Sequence, residues 1–177
     1  MRSVMIVVGL VVVGQMCAWA GELVIDVRHD LMRLGIHGAN APADGAADDS
    51  SAVQAAIDYA SENGGGTVLL PRSTYRVADM ELEPGVTLAG AGREQTILRA
   101  LDTSPMLVLR GGTIRDLSIY GTPIDALSGD GWQITTKAGS GGTATSSHLM
   151  IVQDAVDPRI ENVYAGESRY DCLYVRG

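Results

Sequence analysis

The stretch from Ala43 to Val77, ADGAADDSSAVQAAIDYASENGGGTVLLPRSTYRV, decides the fold. Asp48, Asp49 and Ser50 are helix-start residues, whose side-chain oxygens accept from the otherwise unpaired first amides. Val53, Ala56, Ile57 and Ala60 then recur at helical spacing, so one narrow apolar stripe faces a core. This predicts a helix over Ser51–Glu62. Gly64, Gly65 and Gly66 end it, because glycine takes the left-handed stop conformation without a Cβ penalty. Thr67–Leu70 is β-branched and aliphatic, Pro71 breaks it, and a second strand follows. Asp48 and Asp49 could also be taken for catalytic carboxylates, but the helix behind them makes capping the plainer role.

Beyond this stretch, short strands recur in a fixed cycle. One series is Thr67–Leu70, Val86–Ala89, Thr113–Ile119 and Arg159–Ala165, in which TIRDLSI and RIENVYA share the pattern I-x-[D/N]-[L/V]. A second is Thr74–Val77, Thr96–Arg99, Trp132–Thr136 and Cys172–Arg176. A third is Met80–Leu82, Met106–Leu109 and His148–Val152. A three-sided coil that gives one strand to each face per turn produces this order. Gly85, Gly90, Gly92, Gly111, Gly112 and Gly121 stand at strand ends, where tight corners need them. An antiparallel sandwich would also show short strands with turn signals, but not a cycle of three. The expected fold is therefore all-β, a right-handed parallel β-helix of about three to four coils with an N-terminal capping helix. Its stacked core should place Val68 on Val86 and Ile114 on Ile160.

The capped helix, the glycine turn and the strands split by proline resemble the opening segment of the pectate lyase-like superfamily, the rhamnogalacturonase and epimerase-like β-helices. The resemblance implies a helix plugging the end of the solenoid. It implies reaction type only weakly, since lyases, hydrolases, epimerases and viral tailspikes share this opening. It also implies a saccharide groove on the second strand series, walled by inserted loops. Two insertions flank the Trp132 strand here, Tyr120–Gly131 and the low-complexity Lys137–Ser147.

Composition narrows the partners. Arg2, the apolar run Val4–Val13 and Ala18-Trp19-Ala20 before Gly21 read as a secretory signal over residues 1–20, which leaves residues 21–177 as the β-helix domain. The apolar run is too short for a good membrane span, and Gly14-Gln15-Met16 is a poor approach to a lipidated Cys17, so no stable membrane anchor is expected. A secreted or periplasmic location follows. Cys172 is then the single cysteine of the mature chain and cannot form an internal disulfide. A solenoid instead draws stability from continuous ladders and aliphatic stacks, which suits a chain without phenylalanine. The net charge is −8, and removing Arg2 makes it one unit more acidic. That argues against nucleic acid. It also disfavours simple electrostatic capture of polyanionic pectin or alginate, unless a basic groove exists locally.

Glycoside hydrolysis needs two carboxyl groups around the bond. Lyase chemistry needs a base and a cation for the developing enolate, and would bring Ca²⁺ held by carboxylates. Asp130 and Asp171 each precede a strand assigned to the second series. In that register they stack about 5 Å apart, close enough for one to raise the other's pKa. The plainer role for both is turn capping. Gln133, Thr135, Tyr174 and Arg176 are the outward substrate-binding candidates, with Arg176 offering a planar fork to a uronate carboxylate. Trp132 is a candidate for sugar stacking or for the core.

Other motifs are missing. Asp157-Pro158-Arg159 resembles the Asp-Pro-His motif of alginate epimerases without its histidine, so that activity is not carried over. No Asn-Thr-Asp, Gly-His-Gly or Arg-Ile-Lys occurs, which removes the polygalacturonase set. His29, His37 and His148 have no metal-ligand spacing. No cap follows Arg176, so the sequence predicts an open C-terminal edge able to associate with a second copy, and further coils beyond Gly177 in a longer protein. The expected function is an exported carbohydrate-active protein, the first part of a polysaccharide lyase or glycoside hydrolase for acidic, pectin-like polysaccharide. The alternative is a non-catalytic saccharide-binding or surface module.

Overall fold

Glycines Gly64, Gly65 and Gly66 all have positive φ, from 90° to 151°, and turn the chain from helix into strand. In the computed structural model, which describes residues 22–102, 104–121, 148–168 and 171–177, the elements follow in this order. They are β1 (Val24–Asp26), α1 (Leu31–Leu34), β2 (Asp44–Asp48), α2 (Ser50–Glu62), β3 (Gly66–Leu70), β4 (Ser73–Val77), β5 (Met80–Leu82), β6 (Val86–Gly90), β7 (Thr96–Ala100), β8 (Leu107–Tyr120), β9 (Met150–Gly166) and β10 (Leu173–Arg176). Every strand pair is parallel. The chain is a right-handed parallel β-helix.

Its first sheet stacks β1, β3, β6, the middle of β8 and the middle of β9. The second stacks β2, β4, β7, then Ser118–Tyr120 of β8 and Tyr164–Gly166 of β9. The third stacks β5, Leu107–Leu109, Met150–Val152 and β10. Strands β8 and β9 run on through both corners, with shifts of register on either side of Gly111, so the three faces merge into one 10-stranded sheet.

The corner between the first and second sheets is made by single left-handed residues. Asp116 has φ 58° and Asn162 φ 50°, and Asn162 Nδ2 donates to Asp116 Oδ1 at 2.8 Å. These are the Asp and Asn of the shared I-x-[D/N]-[L/V] pattern. Both residue types tolerate this conformation better than other side chains do. The Asn162 bond, with Arg115 behind it, holds the Asp116 carboxyl below its usual range.

Inward positions alternate as expected and are fully buried, including Val68, Leu88, Ile114, Leu98 and Ile119. Ile114 stacks on Ile160 as expected. Val68, however, stacks on Leu88, and Val86 lies over Gly66. A slip of two residues preserves the alternation of faces, so the pattern alone could not exclude it.

Helix α2 closes the lower end, and its Gln54 stands in for a strand below β5. Gln54 Oε1 accepts from the Glu81 amide at 2.9 Å, and its Nε2 donates to the Glu81 carbonyl at 3.2 Å. Ser50 Oγ accepts from the Ala78 amide at 2.9 Å. An edge that would otherwise present unpaired groups is thus satisfied by side chains. The cap expectation needs one correction. Asp48 Oδ1 accepts from the Ser50 amide at 2.9 Å, but Asp49 makes no cap bond to its own helix. Its two oxygens accept from Ala43 and Arg76 instead.

Candidate functional site

The second sheet's outer face carries a column of side chains that strand alternation sets in place. In β4, Tyr75 and Val77 point into the core and Arg76 points out. In β7, Leu98 and Ala100 point in and Arg99 points out. Ile119 is buried and Tyr120 follows it outward. Register puts Arg76 beside Arg99 and Arg99 beside Tyr120. The Arg99 guanidinium sits 5.3 Å from the Tyr120 ring centroid, and the Tyr120 and Tyr164 centroids are 5.4 Å apart. Arg99 also pairs with Glu167 at 3.2 Å. Arg76 reaches the carbonyls of Ala46 and Leu101 only at 3.4 and 3.5 Å. A chain of net charge −8 therefore presents two guanidinium groups on neighbouring rungs of one face. None of these four residues stood out in the sequence, because their alignment depends on the register of four separate segments.

The residues singled out from sequence lie elsewhere. Asp130, Trp132, Gln133 and Thr135 lie outside the described residues, as do residues 1–20. Strand β10 pairs with Met150–Gln153 and belongs to the third sheet, not the second. Tyr174 and Arg176 therefore face outward from the third sheet, where Arg176 bonds Gln153 Oε1. Asp171 enters that sheet beside His148, a residue the sequence gave no role. The Asp171 carboxylate and amide both lie 3.4 Å from His148 Nδ1. Nδ1 can accept from the amide when the ring is neutral and donate to the carboxylate when it is protonated. The imidazole stacks on Tyr174 with centroids 4.7 Å apart and an 11° interplanar angle. An imidazole, a carboxylate and a phenol thus meet at one corner, a set able to hold and pass a proton.

Between the second and third sheets, nearer the N-terminal end, lies an open recess of about 410 Å³. Asp48, Ser50, Gln54, Asp79 and Asp102 line it. Among the described residues no group of three His, Cys, Asp or Glu side chains converges as a metal site. Among the described residues, the calcium that a lyase would bring has no fitting donor set.

Known proteins resemble this chain as follows. Mannuronan C5-epimerase AlgE3 of Azotobacter vinelandii is 38% identical over 114 residues, 58% of this chain and 6% of the relative. Mannuronan C5-epimerase AlgE4 of the same organism is 42% identical over 86 residues, covering 44% of this chain and 15% of that protein. Its Alginate lyase 7 is 37% identical over 79 residues, 40% of this chain and 9% of the relative. The chain thus spans a small part of the length of these relatives. The solved A-module of AlgE4 superimposes with a TM-score of 0.53 at 26% identity, over 77% of this chain and 39% of the module. An iota-carrageenase bound to iota-carrageenan fragments, at 19% identity and a TM-score of 0.51, shares the fold. The relatives are polysaccharide-modifying enzymes. Residues 36–136, more than half of the chain, match the model of the Rhamnogalacturonase A/epimerase, pectate lyase-like family, and the chain belongs to that family.

Proposed function

We propose that this chain is part of an exported enzyme that modifies an acidic polysaccharide, and that the outer face of its second sheet binds the glycan. The observation that carries this reading is the register-aligned pair Arg76 and Arg99 on an otherwise acidic chain. A guanidinium matches a carboxylate in a planar fork, which suits a uronate better than a neutral sugar. The epimerase and alginate lyase relatives support a uronan over other polymers, and favour lyase-type or epimerase-type proton abstraction over hydrolysis. The His148, Asp171 and Tyr174 cluster is the proton-handling group the described residues offer for such a step.

Affinity electrophoresis of the full chain tests the binding. Gels cast with alginate or polygalacturonate should retard it and dextran should not. Arg76→Ala with Arg99→Ala should weaken retention by at least about tenfold, since a charged hydrogen bond contributes about 1.5–3 kcal/mol. Equal retention by dextran, or none by either uronan, defeats the proposal. Export rests on the apolar run Val4–Val13 and the small residues before Gly21. N-terminal sequencing of the protein from a secreting host should begin at Gly21, and an intact Met1 in the exported fraction would refute cleavage.

A further inference from the structure

Tyr164 lies over a glycine. In the second sheet Tyr120 is aligned with Gly166, and Ser118 with Tyr164. A Cβ added at Gly166 would meet Tyr164 Oη at 2.8 Å and its Cε1 at 3.0 Å. The Tyr164 ring therefore occupies the space a side chain at 166 would fill, folded along its rung toward Tyr120. It remains 46% exposed. Its centroid is 5.4 Å from that of Tyr120, with the planes 43° apart, and the Arg99 guanidinium lies 5.3 Å from the Tyr120 centroid on the other side. Two aromatic rings and a cation thus run in sequence along the solenoid axis, continuing the line from Arg76.

Aromatic side chains expose broad, rigid surfaces at low entropy cost, because only two torsions are fixed on binding. Such a surface suits the apolar C–H face of a pyranose ring. The cation at its edge suits a sugar that carries a carboxylate. The present partner of Arg99 is Glu167, and both side chains of that pair are more than a third exposed. An exposed pair of this kind contributes little to stability, so a ligand carboxylate can replace Glu167 at small cost. On the second sheet the other charged neighbours are Arg76, one rung below Arg99, and Asp48, one rung below Arg76.

We propose that Tyr120 and Tyr164 form a stacking platform for one hexuronate unit of an acidic glycan, whose carboxylate exchanges with Glu167 on Arg99. The inference rests on the acidic-glycan reading above and adds a subsite to it. Tyr120 and Tyr164 supply contact that salt does not screen, and Arg99 supplies the selection for charge. Gly166 is the positioning residue that lets the Tyr164 ring lie down.

Calorimetric titration of the full chain with oligomannuronate, oligogalacturonate and maltodextrin tests this, at low and at high salt. Tyr120→Ala and Tyr164→Ala should each weaken oligouronate binding about three- to tenfold. The loss should persist in high salt, and Tyr120→Phe should retain affinity. Glu167→Gln, an exposed change that leaves both rings in place, should tighten oligouronate binding and leave maltodextrin unchanged. Thermal midpoints of all variants separate lost binding from lost folding. If the wild type binds oligouronates and the alanine variants match it, the platform is refuted while the acidic-glycan reading stands. If Glu167→Gln weakens binding, the exchange on Arg99 is refuted. If the wild type binds no oligouronate, both proposals fall together.

Discussion

Replacing Gly112 by alanine is expected to cost on the order of 4 kcal/mol, while the same change at Gly35 costs about 1–2 kcal/mol. The two glycines share a backbone conformation, with φ of 71° and 68°. An L-residue pays a similar penalty for that conformation at either place. Their surroundings differ. A Cβ at Gly35 meets nothing within 4 Å, whereas one at Gly112 would strike the Val86 carbonyl and lie 2.6 Å from the Glu83 carbonyl. Both obstacles are backbone atoms of the coil below and cannot rotate away. Gly112 also sits inside β8, the strand that gives a rung to each of the three sheets and ends at Tyr120. Displacing it should therefore lower glycan retention together with stability, and Gly35→Ala should leave retention intact. Urea unfolding of the two variants beside the wild type measures the difference. Equal losses would mean that the corner relaxes and that coil stacking does not constrain Gly112.

That corner was legible in the sequence, and the reason is chemical. Gly90, Gly111, Gly112 and Gly121 stand where coils approach closely, and a missing side chain leaves a visible mark. The corner at Asp116 was harder. TIRDLSIY reads as one strand because its hydrogen bonds run on through the turn, and a single left-handed Asp is all that marks it. The sequence pattern therefore puts Thr113–Ile119 whole in the first series and hides Ser118–Tyr120 as the second-sheet rung. With that rung hidden, the cycle places the later strand Cys172–Arg176 one sheet away from the third sheet that it joins.

The candidate site was less legible than the fold for the same reason. Strand alternation puts Leu173 and Val175 on one face and Tyr174 and Arg176 on the other, but alternation does not say which sheet a strand joins. A column such as Arg76, Arg99, Tyr120 and Tyr164 exists only once register and corners are both fixed. His148 and Asp171 are 23 residues apart in sequence and meet because one coil stacks on the next. No local pattern announces such a meeting.

Asp49 is the clearest case of a local signal concealing a distant task, and its substitution should be strongly destabilising. The residue is fully buried. Its Oδ1 accepts from the Ala43 amide at 2.8 Å and its Oδ2 from the Arg76 amide at 3.1 Å, while its own amide donates to the Arg76 carbonyl at 2.8 Å. It therefore ties the start of α2 and the approach to β2 onto β4, and fixes the backbone that carries Arg76. Asp49→Ala leaves two amides without acceptors, at about 1–3 kcal/mol each. Asp49→Asn keeps one acceptor and turns an NH₂ toward the other amide, so it should lose roughly half as much. Burial pushes the Asp49 carboxyl above its usual range, against the pull of the two amides, and nearby Asp44 and Asp48 push the same way. With the folded value raised, the native state binds the proton more tightly than the unfolded chain does. The contribution from this titration is fully present below the unfolded value of 3.8 and is lost as pH rises through the folded value. The stability of the wild type relative to Asp49→Asn should therefore grow as pH falls from neutrality toward that value. Comparing the two proteins cancels the opposite, acid-labile contribution of Asp116, whose carboxyl is held below its usual range and which does not act on Asp49. Urea titrations across the acidic range decide the sign. If the wild-type advantage shrinks on acidification, the two amide donors outweigh burial, and the Asp49 carboxylate is stabilised by its cage rather than opposed by it.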